Sequence, residues 1–60
     1  MTEKQVIRAA LDRIHNARET DAVLFTFSDL NVMYRWGVIS GKSCRELFDK
    51  GMAKLDELMQ

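Results

Sequence analysis

The stretch that decides the fold runs from residue 22 to residue 39 and reads Ala-Val-Leu-Phe-Thr-Phe-Ser-Asp-Leu-Asn-Val-Met-Tyr-Arg-Trp-Gly-Val-Ile. It holds four of the five aromatic residues of the chain. Its apolar residues alternate on both sides of a polar break, Ser28-Asp29-Leu30-Asn31. Alternation with a period of two around a turn-like tetrapeptide is typical of a β-hairpin that buries one face.

The predicted strands are residues 23–27 and residues 32–38, joined by a turn near Asp29-Leu30. Val, Phe, Thr, Tyr and Trp, which are frequent here, favour extended structure over helix. The alternation predicts that the face covered by the rest of the chain carries four aromatic side chains, Phe25, Phe27, Tyr34 and Trp36.

A helix over the same stretch is the alternative. Residues 22–36 in a helix would carry apolar side chains around the whole axis, which suits only a helix that is buried on all sides. Three short helices offer too little surface to bury one of them completely. In this alternative, Gly37-Val38-Ile39-Ser40 turns the chain between two helices, and the protein is an all-α three-helix domain.

Both flanking segments have helical patterns. The first, from Thr2 to about Arg18, opens with Thr2-Glu3-Lys4-Gln5, a capping box whose side chains satisfy free amides at a helix start. A second capping box, Ser43-Cys44-Arg45-Glu46, opens the last segment, and an apolar stripe follows it to the C-terminus: Cys44, Leu47, Phe48, Met52, Leu55, Leu58 and Met59. The predicted fold class is therefore α+β, a small α-β-β-α domain whose antiparallel hairpin is covered by two helices.

The size of the chain predicts one small domain, residues 1–60, with a marginal core. A domain of this length buries only about 60% of the surface that its unfolded chain exposes. Cys44 is the only cysteine, so no intrachain disulfide can form, and one Cys with one His supplies too few ligands for a structural zinc ion. We therefore expect a homodimer, in which two hairpins pair edge to edge into a four-stranded sheet.

The sequence offers little for catalysis or membrane insertion. His15 has no evident acid–base partner, and Cys44 falls on an apolar stripe, so we expect no catalytic residue, no cofactor and no metal, and we expect that the protein is not an enzyme. No apolar run approaches the roughly 20 residues of a membrane span, and the N-terminus lacks the apolar core of a signal peptide. With a single unpaired cysteine, the expected location of this soluble protein is the cytoplasm.

Residues 37–43, Gly-Val-Ile-Ser-Gly-Lys-Ser, resemble a phosphate-binding P-loop. The motif needs four residues between its first Gly and Gly-Lys-Ser, and here there are three. A nucleotide-hydrolysing domain also needs a parallel sheet and a second acidic Mg²⁺ site, which 60 residues do not supply. A weaker interpretation stays open, in which free amides at the helix start and Lys42 hold an anion at Gly41-Lys42-Ser43.

Basic residues are concentrated in the second half of the chain. From Leu30 to Lys54 there are five basic residues, Arg35, Lys42, Arg45, Lys50 and Lys54, against two acidic ones. With Tyr34 and Trp36 nearby, they could form a nucleic-acid surface that combines phosphate contacts with stacking. The whole chain has zero net charge, however, and the alternation turns both aromatic rings toward the core.

The expected function is that of a small non-enzymatic protein-interaction module, homodimeric, which acts as an accessory or inhibitory binding protein of the kind found in bacteria and their viruses. A nucleic-acid-binding regulator that uses the basic second half is the alternative, and an anion-binding module at Gly41-Lys42-Ser43 is third. The expected partners are a second copy of the chain and a protein that the sequence does not identify. The residues expected to contact a partner or an anion are Arg35, Gly41, Lys42, Ser43 and Arg45.

Overall fold

The computed structural model describes the whole chain, Met1–Gln60, as three helices without strands: α1 (Glu3–Asn16), α2 (Thr20–Arg35) and α3 (Gly41–Leu58). The predicted α+β fold with its β-hairpin is therefore wrong, and the all-α three-helix domain is the correct alternative. α1 and α3 run in the same direction and α2 runs against them. Glu3 contacts Ser40 at one end of the bundle, and His15 contacts Lys54 at the other.

The inner face of α2 explains why the middle stretch is a helix. Val23, Thr26 and Leu30 are its buried residues. Their spacing of three and four residues follows the helical period, whereas in a strand Val23 and Thr26 would point to opposite faces. The buried Thr26 hydroxyl donates to the Ala22 carbonyl at 2.9 Å, so no polar group of this face is left unpaired. Packing of this face against α1 and α3 outweighs the preference of the individual residues for extended structure.

Gly37, which we predicted inside the second strand, ends α2. Its φ of +77° lies in the left-handed region that glycine adopts without strain. The Gly37 amide donates to the Tyr34 carbonyl at 3.0 Å, and the Val38 amide donates to the Met33 carbonyl at 2.9 Å. These two bonds form a Schellman motif, and Val38 and Met33 both pack against the core. The Gly37-Val38-Ile39-Ser40 turn of the all-α alternative is thus confirmed.

The helix starts agree only partly with the sequence patterns. The first capping box is confirmed, because the Thr2 amide donates to Gln5 Oε1 at 2.9 Å and the Gln5 amide donates to Thr2 Oγ1 at 3.2 Å. The second predicted capping box, at Ser43, is wrong. α3 begins three residues earlier, where the Ser40 hydroxyl accepts the Ser43 amide at 3.1 Å.

The three helices meet in a small core made of Val6, Ala10, Leu30, Ile39 and Leu47. On one side of it, the ring of Phe27 stacks on that of Phe48 with 4.6 Å between centroids. Gly51 is buried beneath Phe27, and a Cβ at this position would lie 2.2 Å from Phe27 Cε1. Glycine at position 51 therefore lets α2 and α3 approach closely.

Only ten of the 60 residues are buried. The apolar stripe predicted on α3 is centred on Leu47 and Gly51, and two of its predicted members, Met52 and Met59, are exposed. Because the fold has no strands, the edge-to-edge sheet predicted for a dimer cannot form. None of the three helices combines the length and apolar character needed to cross a membrane.

Candidate interaction surface

α2 exposes apolar side chains on the side that faces away from α1 and α3. We call this side the outer face of α2 and define it by six exposed residues that the helical period places on one stripe: Asp21, Leu24, Phe25, Ser28, Val32 and Arg35. Leu24 is 50% exposed, Phe25 is 66% exposed and Val32 is 40% exposed. Leu, Phe and Val are usually among the buried residues of a fold, so their alignment on one stripe makes the outer face the candidate interaction surface.

The aromatic side chains predicted to lie on a covered face are mostly exposed. Trp36, directly after α2, is 77% exposed, Phe25 is 66% exposed and Tyr34 is 50% exposed. Only Phe27 is half-buried, where it stacks on Phe48. The prediction was wrong because successive helical residues differ in direction by about 100°, so residues two apart do not share a face.

A depression at the start of α2 adjoins the outer face. It has a volume of about 470 Å³ and lies between the end of α1 and the first turns of α2. We call it the α1–α2 depression; the residues that line it are Arg13, Asn16, Ala17, Arg18, Glu19, Ala22 and Phe25. Phe25 belongs to both features, so the apolar stripe continues into this depression.

The residues predicted to contact a partner or an anion lie together at the opposite end of the bundle, around the α2–α3 turn. Arg35 is the last residue of α2, and the other four lie in the first two turns of α3: Gly41, Lys42, Ser43 and Arg45. Gly41 and Arg45 line a depression of about 350 Å³ with Tyr34, Cys44 and Phe48. Partial burial raises the pKa of the Cys44 thiol above its ordinary value, which disfavours the reactive thiolate.

The start of α3 already holds acceptors from the chain itself. The Ser40 hydroxyl accepts the Ser43 amide, and a carboxylate oxygen of Glu3 accepts the Ser40 amide. Two of the donors that could bind an anion near Gly41-Lys42-Ser43 are therefore partnered within the chain. The Glu3 carboxylate, which accepts the Ser40 amide, carries a negative charge that opposes an incoming anion.

The basic residues of the second half do not form one continuous surface. Lys54 lies at the far end of α3, where its ammonium group donates to the His15 carbonyl at 3.2 Å and lies 3.8 Å from a carboxylate oxygen of Glu57. Lys50 follows Asp49 on the exposed side of α3. Of the five basic residues, Arg35, Lys42 and Arg45 are those at the α2–α3 turn, where Tyr34 and Trp36 are exposed.

Sequence reasoning missed the outer face of α2 and the α1–α2 depression. The signal for the outer face was present in the all-round apolar character of residues 22–36. We used that character as an argument against a helix, because we assumed that the chain must bury such a helix by itself.

Comparison of this chain with protein-family models, with curated proteins and with solved structures found no match.

Proposed function

We propose that this protein is a small non-enzymatic interaction module that binds a second copy of itself and acts by binding a protein partner. The observation that carries the proposal is the exposed apolar outer face of α2. A helix with apolar residues around its whole circumference is typical of a helix that is covered on all sides. Since α1 and α3 cover only one side of α2, another chain is the natural cover for the other side.

The energetic argument points the same way. Removing apolar surface from water stabilises a complex by about 25 cal/mol per Å² of buried area. Phe25 on the outer face and Trp36 directly after α2 are both exposed and aromatic, and aromatic anchors dominate the binding energy of most interfaces. For a chain with ten buried residues, a dimer also enlarges a core that is small on its own.

Sedimentation equilibrium tests the oligomeric part of the proposal. We expect about twice the mass of one chain at micromolar concentration, and an apparent stability that rises with chain concentration because only the folded form pairs. A monomer whose melting is independent of concentration would contradict a dimer.

Affinity purification from the native host tests the second part, with nuclease treatment run in parallel. The baits are the parent chain, the variant Phe25→Ser and the control Met59→Ser, which changes a side chain directly after α3 that is 71% exposed. The proposal expects a nuclease-resistant protein partner that the parent and Met59→Ser retain and Phe25→Ser loses. Equal recovery with all three baits would contradict a role for the outer face.

A nucleic-acid-binding regulator is the second candidate, and the exposure of Trp36 and Tyr34 favours it. We had expected both rings in the core, where they could not stack on bases. At the α2–α3 turn they instead lie near the cations of Arg35, Lys42 and Arg45, and this combination of stacking and phosphate contacts suits single-stranded nucleic acid. Zero net charge leaves few phosphate contacts, so we expect weak, non-specific binding that collapses between low and physiological salt.

Lys42→Ala and Arg45→Ala distinguish this candidate, because neither residue belongs to the outer face of α2. If the turn binds nucleic acid, each variant lowers the affinity for a single-stranded oligonucleotide and flattens its dependence on salt, whereas Lys50→Ala serves as a control on the same helix. Anion binding at Gly41-Lys42-Ser43 ranks third, and titration with inorganic phosphate tests it. The cytoplasm stays our proposed location, on the ground of the single cysteine.

A further inference from the structure

We propose that two copies of this chain pair through the outer faces of α2, antiparallel, around a two-fold axis that passes beside Ser28. This inference rests on the proposed function, because it names the surface and the geometry of the self-association. A two-fold interface uses the same patch on both copies, so the patch must be complementary to itself. The outer face of α2 meets that condition in its apolar residues, in its charges and in the shape of its surroundings.

The residues of the outer face are arranged symmetrically in the sequence around Ser28. Leu24 lies four residues before Ser28 and Val32 lies four residues after it. In an antiparallel pair that crosses at Ser28, Leu24 of each copy therefore meets Val32 of the other. Serine at the centre is small, which lets the two helices approach to the lower end of the usual interaxial distance of about 8–10 Å.

Charge selects the antiparallel orientation. Asp21 lies seven residues before Ser28, and Arg35 lies seven residues after it. Antiparallel pairing brings Asp21 of each copy to Arg35 of the other and so forms two ion pairs, each between opposite charges. Parallel pairing would place Asp21 against Asp21 and Arg35 against Arg35, and such like-charge contacts are unfavourable.

Trp36 and the α1–α2 depression also match under the same symmetry. Trp36 follows Phe25 by eleven residues, close to three helical turns, so both lie on the side of the outer face nearest α1. The two-fold axis runs between the two α2 helices, perpendicular to both, in the plane of the interface. Rotation about this axis brings the α1 side of each copy next to the α1 side of the other. Trp36 then lies opposite position 20 of the second chain, between Glu19 and Ala22, which line the depression.

A stable pair has to bury a substantial fraction of the surface of so small a chain. A standard interface buries about 800 Å² on each partner, which is roughly a sixth of the 4586 Å² that this chain exposes. The outer face spans four turns of helix, and Trp36 adds the largest side chain at the point where a depression receives it. An interface with central apolar contacts and charged residues at its ends has the usual arrangement of a hydrophobic core and a polar rim.

Disulfide formation at the axis tests the geometry. Two helices about 8–10 Å apart, each with Cα atoms about 2.3 Å from its axis, bring facing Cα atoms within the range that a disulfide spans. We expect the double variant Ser28→Cys/Cys44→Ala to form a disulfide-linked dimer readily under mild oxidation. The control is Asp49→Cys/Cys44→Ala, with its cysteine on the exposed side of α3, and we expect it to cross-link far more slowly.

Charge reversal tests the orientation. Asp21→Arg and Arg35→Asp should each weaken the dimer about tenfold or more, because two attractive contacts become two repulsive ones. The double variant Asp21→Arg/Arg35→Asp restores opposite charges at both contacts and should return the dissociation constant to near the parent value. Trp36→Ala should weaken the dimer by at least about thirtyfold, as loss of an aromatic anchor does. Circular dichroism on each variant checks that the helices persist.

The outcomes separate this inference from the proposed function. A dimer in which Ser28→Cys does not cross-link and the double charge reversal does not rescue pairing would overturn the geometry and leave the proposed function standing. A monomer whose outer face binds a different protein would overturn self-pairing, here and in the proposed function, and would leave only the binding of a protein partner standing. A monomer that recovers no protein partner and whose outer face stays exposed to water would refute both this inference and the proposed function.

Discussion

The inner and outer faces of α2 both carry large apolar side chains, in opposite environments. The inner face buries Val23 and Leu30 against α1 and α3, and the outer face exposes Leu24, Phe25 and Val32. What distinguishes them is what the same chain places against each face, because hydrophobicity alone would bury both. In a very short chain, an apolar helix therefore need not be covered on all sides by the chain itself.

The largest expected effect separates the two faces directly. Leu30→Ala removes a side chain that is only 2% exposed and should cost about 2–5 kcal/mol, comparable to the whole stability of a domain this small. Leu24→Ala removes the same side chain from the outer face and should change the unfolding free energy of the monomer by no more than about 0.5 kcal/mol. Urea unfolding at low chain concentration measures both. Similar losses for the two variants would mean that the faces have been assigned wrongly.

The contact of α2 with α3 depends on Gly51. Gly51→Ala should push the Phe27 ring off the helix and cost roughly 1–2 kcal/mol, because overpacking outweighs the gain in helix propensity. Gly41→Ala is the matched control, since its Cβ would meet Tyr34 Cε1 at 3.5 Å, an ordinary contact. Thermal unfolding of the two variants should show a lowered midpoint only for Gly51→Ala. An unchanged midpoint would show that α2 and α3 are not in close contact here.

The end of α2 should respond to a smaller change. Gly37→Ala meets no atom within 4 Å, so its cost comes only from forcing alanine into a φ of +77°. We expect a loss of about 1 kcal/mol in the unfolding free energy, measured in urea, with no change in the secondary structure of α1. A gain in stability would indicate that residue 37 has a negative φ and that the turn has another form.

Local signals in the sequence predicted the ends of the fold better than its middle. The capping box at Thr2 depends on four adjacent residues and was read correctly, whereas the same kind of signal at Ser43 placed the start of α3 three residues too late. The middle stretch was misassigned because its alternation is compatible with a strand, and because burial of Thr26 together with Val23 depends on contacts with distant helices. The Schellman glycine at position 37 was the local signal that a helix ends there, and we gave it too little weight.

The candidate site was partly accessible to sequence reasoning. The cluster of Arg35, Lys42 and Arg45 follows from neighbouring positions around one turn. The outer face of α2 requires knowledge that the stretch is a helix, and the α1–α2 depression requires the packing of two helices. Neither can be derived from the order of residues when the secondary structure is wrong.

The smallest expected effect concerns Cys44. Because burial raises the pKa of its thiol, less thiolate is present at neutral pH, and alkylation should be slower than for an exposed cysteine. The profile of alkylation rate against pH should be shifted to higher pH relative to that of Asp49→Cys/Cys44→Ala. A profile shifted to lower pH would reveal a reactive thiol and contradict partial burial beside Phe48.

Trp36 provides the most direct test of the claim that a second copy covers the outer face of α2. It is the only tryptophan, and 77% of it is exposed in the single chain. The emission maximum of the parent protein should lie at the wavelength of a water-exposed indole at high dilution and shift to shorter wavelength as the chain concentration rises. The shift should follow the dimerisation curve obtained by sedimentation. Emission that stays at the exposed wavelength while the chain dimerises would contradict burial of Trp36 in the α1–α2 depression of the second copy.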